Sequence, residues 1–239
     1  MKPVAVLFDI DGTLITTGGA GARSWRDAFQ DLYGIPADIG RFTDAGMTDP
    51  EVGRLTFVGV IGRDPTPEEM AALMAKRLAH LPRAVAESQG YRVLDGVEET
   101  LGTLSEQGYL LGLTTGGVEA AAHIKLARAG LNHYFSFGGY GSDSTDRAEL
   151  TRCAIERAGR ILGQRLDPHR TLVVGDTPKD IDAAKAVRAV AVGVASGQYG
   201  EVELREAGAD YVLASLREPL PGLATSSVGE GAMSGLADP

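Results

Sequence analysis

Val4-Ala5-Val6-Leu7-Phe8-Asp9-Ile10-Asp11-Gly12-Thr13 decides how this chain is to be read. Val4 to Phe8 is an unbroken apolar run with β-branched and aromatic members, which predicts a buried strand. The run stops at Asp9, so the carboxyl end of that strand carries two acids, Asp9 and Asp11. A spacing of two points both side chains the same way where strand geometry persists. One carboxylate can then attack while the other gives and takes protons. Gly12 permits a tight turn, and Thr13 can hydrogen-bond the carboxylates in place.

Similar apolar runs recur at Tyr109–Thr114, Thr171–Val174 and Val190–Val194, with weaker ones at Tyr134–Phe137 and Asp210–Leu213. Helical patterns separate them. Val97–Gln107 stops before Gly108, Glu119–Ala129 stops before Gly130, and Arg147–Leu162, Lys179–Val187 and Glu201–Ala207 follow. This alternation predicts an α/β, Rossmann-like, three-layer core with a mostly parallel sheet and helices on both faces.

The rhythm breaks between Thr17 and Gly90. No convincing strand is visible there. Trp25, Phe29 and Leu32 recur at about helical spacing and read as the interior of a helical unit. Pro67 followed by Glu68 and Glu69 reads as a helix start. The expected division is a core of residues 1–16 and 91–216, a helical insertion of residues 17–90, and a flexible tail of residues 217–239 rich in Gly, Ser, Ala and Pro. Gly18-Gly19-Ala20-Gly21 lacks the dinucleotide-binding pattern and stands at the junction of core and insertion.

In an open parallel sheet, ligands bind beyond the carboxyl ends of the strands. Asp9 and Asp11 follow one strand, Thr115, Gly116 and Gly117 a second, and Gly175, Asp176, Thr177 and Asp180 a third. Carboxylates brought that close repel unless a cation sits among them. Magnesium suits such an oxygen-rich site. The expected ligands are Asp9, the backbone carbonyl of Asp11, and Asp176.

These segments resemble the motifs of the haloacid dehalogenase superfamily, in that family's order. Phe8-Asp9-Ile10-Asp11-Gly12-Thr13-Leu14 is similar to its first motif, Thr115-Gly116 to its second, and Gly175-Asp176-Thr177-Pro178-Lys179-Asp180 to its fourth. An insertion between the first two motifs is what the family calls a C1 cap. The resemblance implies a phosphoglycolate phosphatase-like enzyme in which Asp9 forms an aspartyl-phosphate and Asp11 serves as general acid and base. It further implies that Thr115 and Gly116 bind phosphate, Asp176 holds magnesium, and Asp180 orients groups around the metal. The third motif departs from the family: where a lysine usually opens the helix, this chain has Ser142-Asp143-Ser144-Thr145-Asp146-Arg147. Arg147 is assigned to phosphate binding there, with Lys179 in reserve. Gly117 stands where relatives often have Asn. The resemblance also implies that Gly18–Gly21 is a hinge and that Thr43–Asp49 is a cap loop that selects substrate.

The net charge of −9, with no dense basic run, argues against nucleic acid and anionic membranes as partners. No stretch approaches the ~18 apolar residues of a membrane span. A lone Cys153 excludes an intrachain disulfide and fits a reducing cytoplasm. His80, His123, His133 and His169 are scattered and form no metal-like pair. Asp11 argues against dehalogenation, which needs no second acid. Two readings compete with a magnesium-dependent phosphatase of small phosphorylated metabolites: a C1-cap sugar-phosphate mutase, and a receiver-like module that accepts phosphate without turnover.

Overall fold

A computed structural model describes residues 4–223. Its strands are β1 (Ala5–Phe8), β2 (Ile15–Thr17), β3 (Tyr91–Val93), β4 (Leu110–Thr115), β5 (Gly138–Tyr140), β6 (Thr171–Gly175), β7 (Val190–Val194) and β8 (Tyr211–Leu213). Its α-helices are α1 (Ala20–Tyr33), α2 (Asp49–Ile61), α3 (Pro67–Glu87), α4 (Val97–Glu106), α5 (Glu119–Ala127), α6 (Arg147–Ile161), α7 (Pro178–Ala186) and α8 (Glu201–Glu206).

Six strands form one parallel sheet in the order β5-β4-β1-β6-β7-β8. The parallel α/β core read from the sequence is therefore the observed one. The period of two explains why β1 is apolar throughout. Val6 and Phe8 pack into the cluster with Leu111, Leu113, Leu172 and Val174. Ala5 and Leu7 pack into the cluster with Ile155, Val173, Ile181 and Ala191. Both faces are covered, so polar residues have no place along the strand.

Helices α1–α3 enclose a separate core of Trp25, Phe29, Val52, Phe57 and Leu73. The start of α3 follows the sequence expectation: Thr66 accepts from the Glu69 amide, and the Glu69 side chain accepts from the Thr66 amide, with Pro67 in the first turn. A further cluster of Ala20, Leu81, Val85, Val118 and Ala121 joins α1 and α3 to α5.

Three local readings change. The edge strand expected at Tyr134–Phe137 is displaced to Gly138–Tyr140, and Leu131–Tyr134 forms a 3-10 turn. Phe135 and Phe137 are buried for their bulk, while α6 approaches so closely that Gly139 has no room for a Cβ against the Leu150 carbonyl. The Thr17–Gly90 segment is bounded by a short antiparallel ribbon that the sequence did not reveal, with Ile15 opposite Val93, Thr16 opposite Arg92 and Thr17 opposite Tyr91. Finally, the expected flexible tail begins with packed residues: Leu220 is buried against the core and Leu223 packs beside it, while residues 224–239 lie outside the described residues.

Candidate active site

The site is built from strand ends. Asp9 leaves β1 with its amide bonded to the Val174 carbonyl at 2.9 Å, which sets it beside the end of β6. Asp176 follows β6, and its Oδ1 accepts a hydrogen bond from Thr13 Oγ1 at 3.2 Å. Gly12 makes the close approach possible. Its φ is +89°, and a Cβ there would stand 2.6 Å from Asp176 Cγ. Ser196 Oγ donates to the Gly12 carbonyl at 2.7 Å and steadies the turn from the β7 side.

Asp180 opens α7. Its Oδ2 accepts from the Thr177 amide at 3.1 Å and from Thr177 Oγ1 at 2.7 Å, and its Oδ1 accepts from Arg147 Nη2. Arg147 Nη2 also lies 3.3 Å from Asp9 Oδ1. One buried guanidinium thus bridges two buried acids. Arg147, not Lys179, makes these contacts; Lys179 lies beside Gly46.

Carboxylate oxygens of Asp9, Asp176 and Asp180 all lie within 4.8 Å of one another, and all three residues are buried. Burial, followed by repulsion from Asp180, pushes the Asp9 carboxyl well above its usual range against the pull of Arg147. Burial and Asp180 likewise push Asp176 up to about 7. The protein has gathered acids that the one arginine does not neutralise. The residues fit a hard divalent cation on this ground. Asp180 has its oxygens committed to Thr177 and Arg147, whereas the one side-chain donor to Asp176 among the described residues is Thr13. Asp9 and Asp176 are therefore the carboxylates with capacity left for a metal.

Thr115 ends β4, buried, and its Oγ1 accepts from the Gly117 amide at 3.2 Å. The Thr43–Asp49 loop reaches this turn. The Gly46 carbonyl accepts from Arg147 Nη1 at 3.3 Å, and the Asp49 amide donates to the Gly116 carbonyl at 2.8 Å. A Cβ on Gly116 would meet the Met47 carbonyl at 2.5 Å and Arg147 Nη1 at 3.0 Å. The second, third and inserted segments therefore close on one point.

Some contributors were not visible in the sequence. Asp49 Oδ2 accepts from Arg77 Nη1 at 2.7 Å and from the Val118 amide at 2.8 Å. Arg77 is 1% exposed and its guanidinium lies 4.8 Å from the Trp25 ring centre. Lys125 Nζ donates to Asp11 Oδ2. The one available signal was that Lys125 shares the helical stripe of Ala122 and Leu126, an apolar face on which a lysine needs a partner.

Acids and a glycine turn at the carboxyl edge of a parallel sheet, with a helical unit inserted after the first strand, define a class of hydrolase. A family model for haloacid dehalogenase-like hydrolase matches residues 4–188, and the chain belongs to that family. Pyrophosphatase PpaX of Halalkalibacterium halodurans is 32% identical, covering 92% of this chain and 96% of the relative. The phosphoglycolate phosphatase of Salmonella typhi is 29% identical, covering 91% of each. A crystal structure of a predicted phosphoglycolate phosphatase from Haemophilus somnus 129PT shares the fold, with a TM-score of 0.70 at 20% identity over 90% of this chain and 96% of that one. Within its family this chain is a phosphatase. No helix among the described residues is long and apolar enough to cross a membrane.

Proposed function

We propose that the chain hydrolyses phosphate monoesters of small metabolites with magnesium, through an aspartyl-phosphate on Asp9. The observation that carries this reading is the buried convergence of Asp9, Asp176 and Asp180 around Arg147. Asp9 and Asp176, with the Asp11 carbonyl, would hold the metal. Magnesium there would neutralise charge on the phosphate oxygens and polarise the phosphorus.

The chain's own groups supply the rest. The Thr115 hydroxyl, the Gly116 amide and Arg147 bind the phosphoryl oxygens. Asp9 attacks phosphorus in line, and the bond to the ester oxygen breaks as that oxygen takes the proton of Asp11. The resulting Asp11 carboxylate then removes a proton from the water that cleaves the aspartyl-phosphate, which returns Asp9 and releases phosphate. Asp180 keeps Arg147 aligned without touching substrate. Gly18 to Gly21 acts as the hinge on which residues 17–90 open for substrate and close to exclude water.

The ester is a phosphoglycolate-like or sugar phosphate, in keeping with relatives named for phosphoglycolate and for pyrophosphate. The reducing compartment implied by one free thiol is the cytoplasm. The test is phosphate release from a panel of phosphorylated metabolites with and without magnesium. Release that needs magnesium and disappears in Asp9→Asn is the expected result. Equal release by Asp9→Asn removes Asp9 as nucleophile. Isomerised hexose phosphate in place of free phosphate would make the enzyme a mutase, and a stable phospho-Asp9 without turnover would make it a receiver.

A further inference from the structure

Lys125 is buried, on the face of α5 that also buries Ala121, Ala122 and Leu126. An ammonium out of water is costly unless it is paired. Its ion-pair partner is Asp11, through Oδ2. Asp11 itself is open, with its side chain 45% exposed, and it stands outside the Asp9–Asp176–Asp180 group. The carboxylate is thus held from one side only. Its Oδ1 has no protein donor among the described residues and is the oxygen left for proton transfer.

The helix that carries this ammonium is itself fastened. Tyr91 Oη donates to the Lys125 carbonyl at 2.7 Å. Arg128, one turn on, stacks 4.6 Å over the Tyr91 ring and donates to the carbonyls of Val85 and Ser88. Tyr91 opens β3, the strand by which the chain returns from the helical unit. The backbone that carries the ammonium is therefore fastened to the β2–β3 ribbon.

We infer that Lys125 is a positioning residue that holds Asp11 in its proton-transfer pose. The inference rests on the reading of Asp11 as the acid that protonates the departing oxygen. Without the ammonium on Oδ2, the exposed carboxyl group turns freely about its side-chain bonds, and fewer encounters find the proton on Oδ1 beside the leaving oxygen.

Leaving-group dependence is the readout, because a purely structural residue does not discriminate between esters. Glycerol phosphate must release an alkoxide and needs the proton; p-nitrophenyl phosphate releases a stable phenolate and needs it little. Lys125→Met should lower kcat/KM for glycerol phosphate by ~10–100-fold, with a loss on p-nitrophenyl phosphate about ten times smaller. Asp11→Asn should show the same discrimination, larger, and adding Lys125→Met to it should cost nothing more. Lys125→Arg should restore most of the alkyl-ester activity. Equal losses on both esters in Lys125→Met, or a further loss on the Asp11→Asn background, overturns the inference alone. Equal losses in Asp11→Asn would overturn the reading of Asp11 as proton donor, and the inference with it.

Discussion

At the scale of the residue, Arg147 has the most to lose. Among the described residues it is the one cation in contact with Asp9, and it also satisfies Asp180. Arg147→Ala should lower kcat/KM for p-nitrophenyl phosphate by ~10²–10³-fold, the usual cost of one lost donor to a developing anion. It should also destabilise the protein by about 3–5 kcal/mol, because buried acids are left unpaired. Arg147→Lys should recover only part of the activity, since a point charge cannot span both carboxylates. Wild-type kcat/KM in Arg147→Ala would remove this residue from the phosphate site. Asp176 gives a second prediction. Its folded pKa, about 7, is raised by burial and Asp180 above an unfolded value near 3.8. A raised acid contributes stability that is full below the unfolded value and lost as pH rises through the folded one. Metal-free protein should therefore lose Tm between about pH 4 and pH 7 and hold level above it, and Asp176→Asn should lessen that fall. Magnesium should raise Tm more at pH 8 than at pH 5 in thermal scans, because it favours the ionised form. An equal shift at both pH values would separate the metal from these carboxylates.

At the scale of the element, a buried ion pair between two of the inserted helices sets the carboxylate that meets the core. Asp49 begins α2, Arg77 lies on α3, and the Asp49 carboxylate also receives the amide of Val118, just after the turn of Thr115 to Gly117. Asp49→Ala strands a guanidinium that is 1% exposed, at a cost of about 3–5 kcal/mol. Asp49→Ala with Arg77→Met should regain most of that in urea denaturation, since an apolar side chain then lies beside Trp25. If the double variant falls as far as the single, the stranded guanidinium is not the source of the loss. None of this was legible in the sequence, and the reason is physical. Asp49 and Arg77 look ordinary on their own helices, and only folding brings them into contact. The strands that were legible, β1, β4, β6 and β7, are buried on both faces and had to be apolar throughout. β5 was misplaced because Gly138 and Gly139 give no apolar signal; the approach of α6 demands the small size of Gly139, and the Tyr140 ring and Leu113 that of Gly138. β2 and β3 are three residues each and pair across the whole insertion, so no window of sequence contains them both. The acids at the strand ends were legible because parallel topology delivers those ends to one edge. Lys125 was not, because its partner lies on another strand's turn.

At the scale of the whole molecule, charge works against the substrate. The chain carries a net charge of −9, and the candidate site gathers Asp9, Asp11, Asp176 and Asp180 around Arg147 and Lys125. A phosphate dianion must cross a repulsive field before the local cations can hold it. That field reaches ~30 Å at 0.01 M ionic strength and ~10 Å at 0.1 M. Raising the salt between those limits, at constant saturating magnesium, should raise kcat/KM for p-nitrophenyl phosphate by a factor of ~2–5 while leaving kcat nearly constant. The separation matters because encounter feels the distant surface, whereas chemistry takes place among groups buried in contact with one another, where screening is weak. Neutralising exposed acids far from the site, for example Glu106→Gln with Asp167→Asn, should reproduce a small part of the salt effect at low ionic strength and add nothing at high. A kcat/KM that falls with salt would show instead that Arg147 and Lys125 dominate the approach, and that the surface charge of this enzyme is silent toward its substrate.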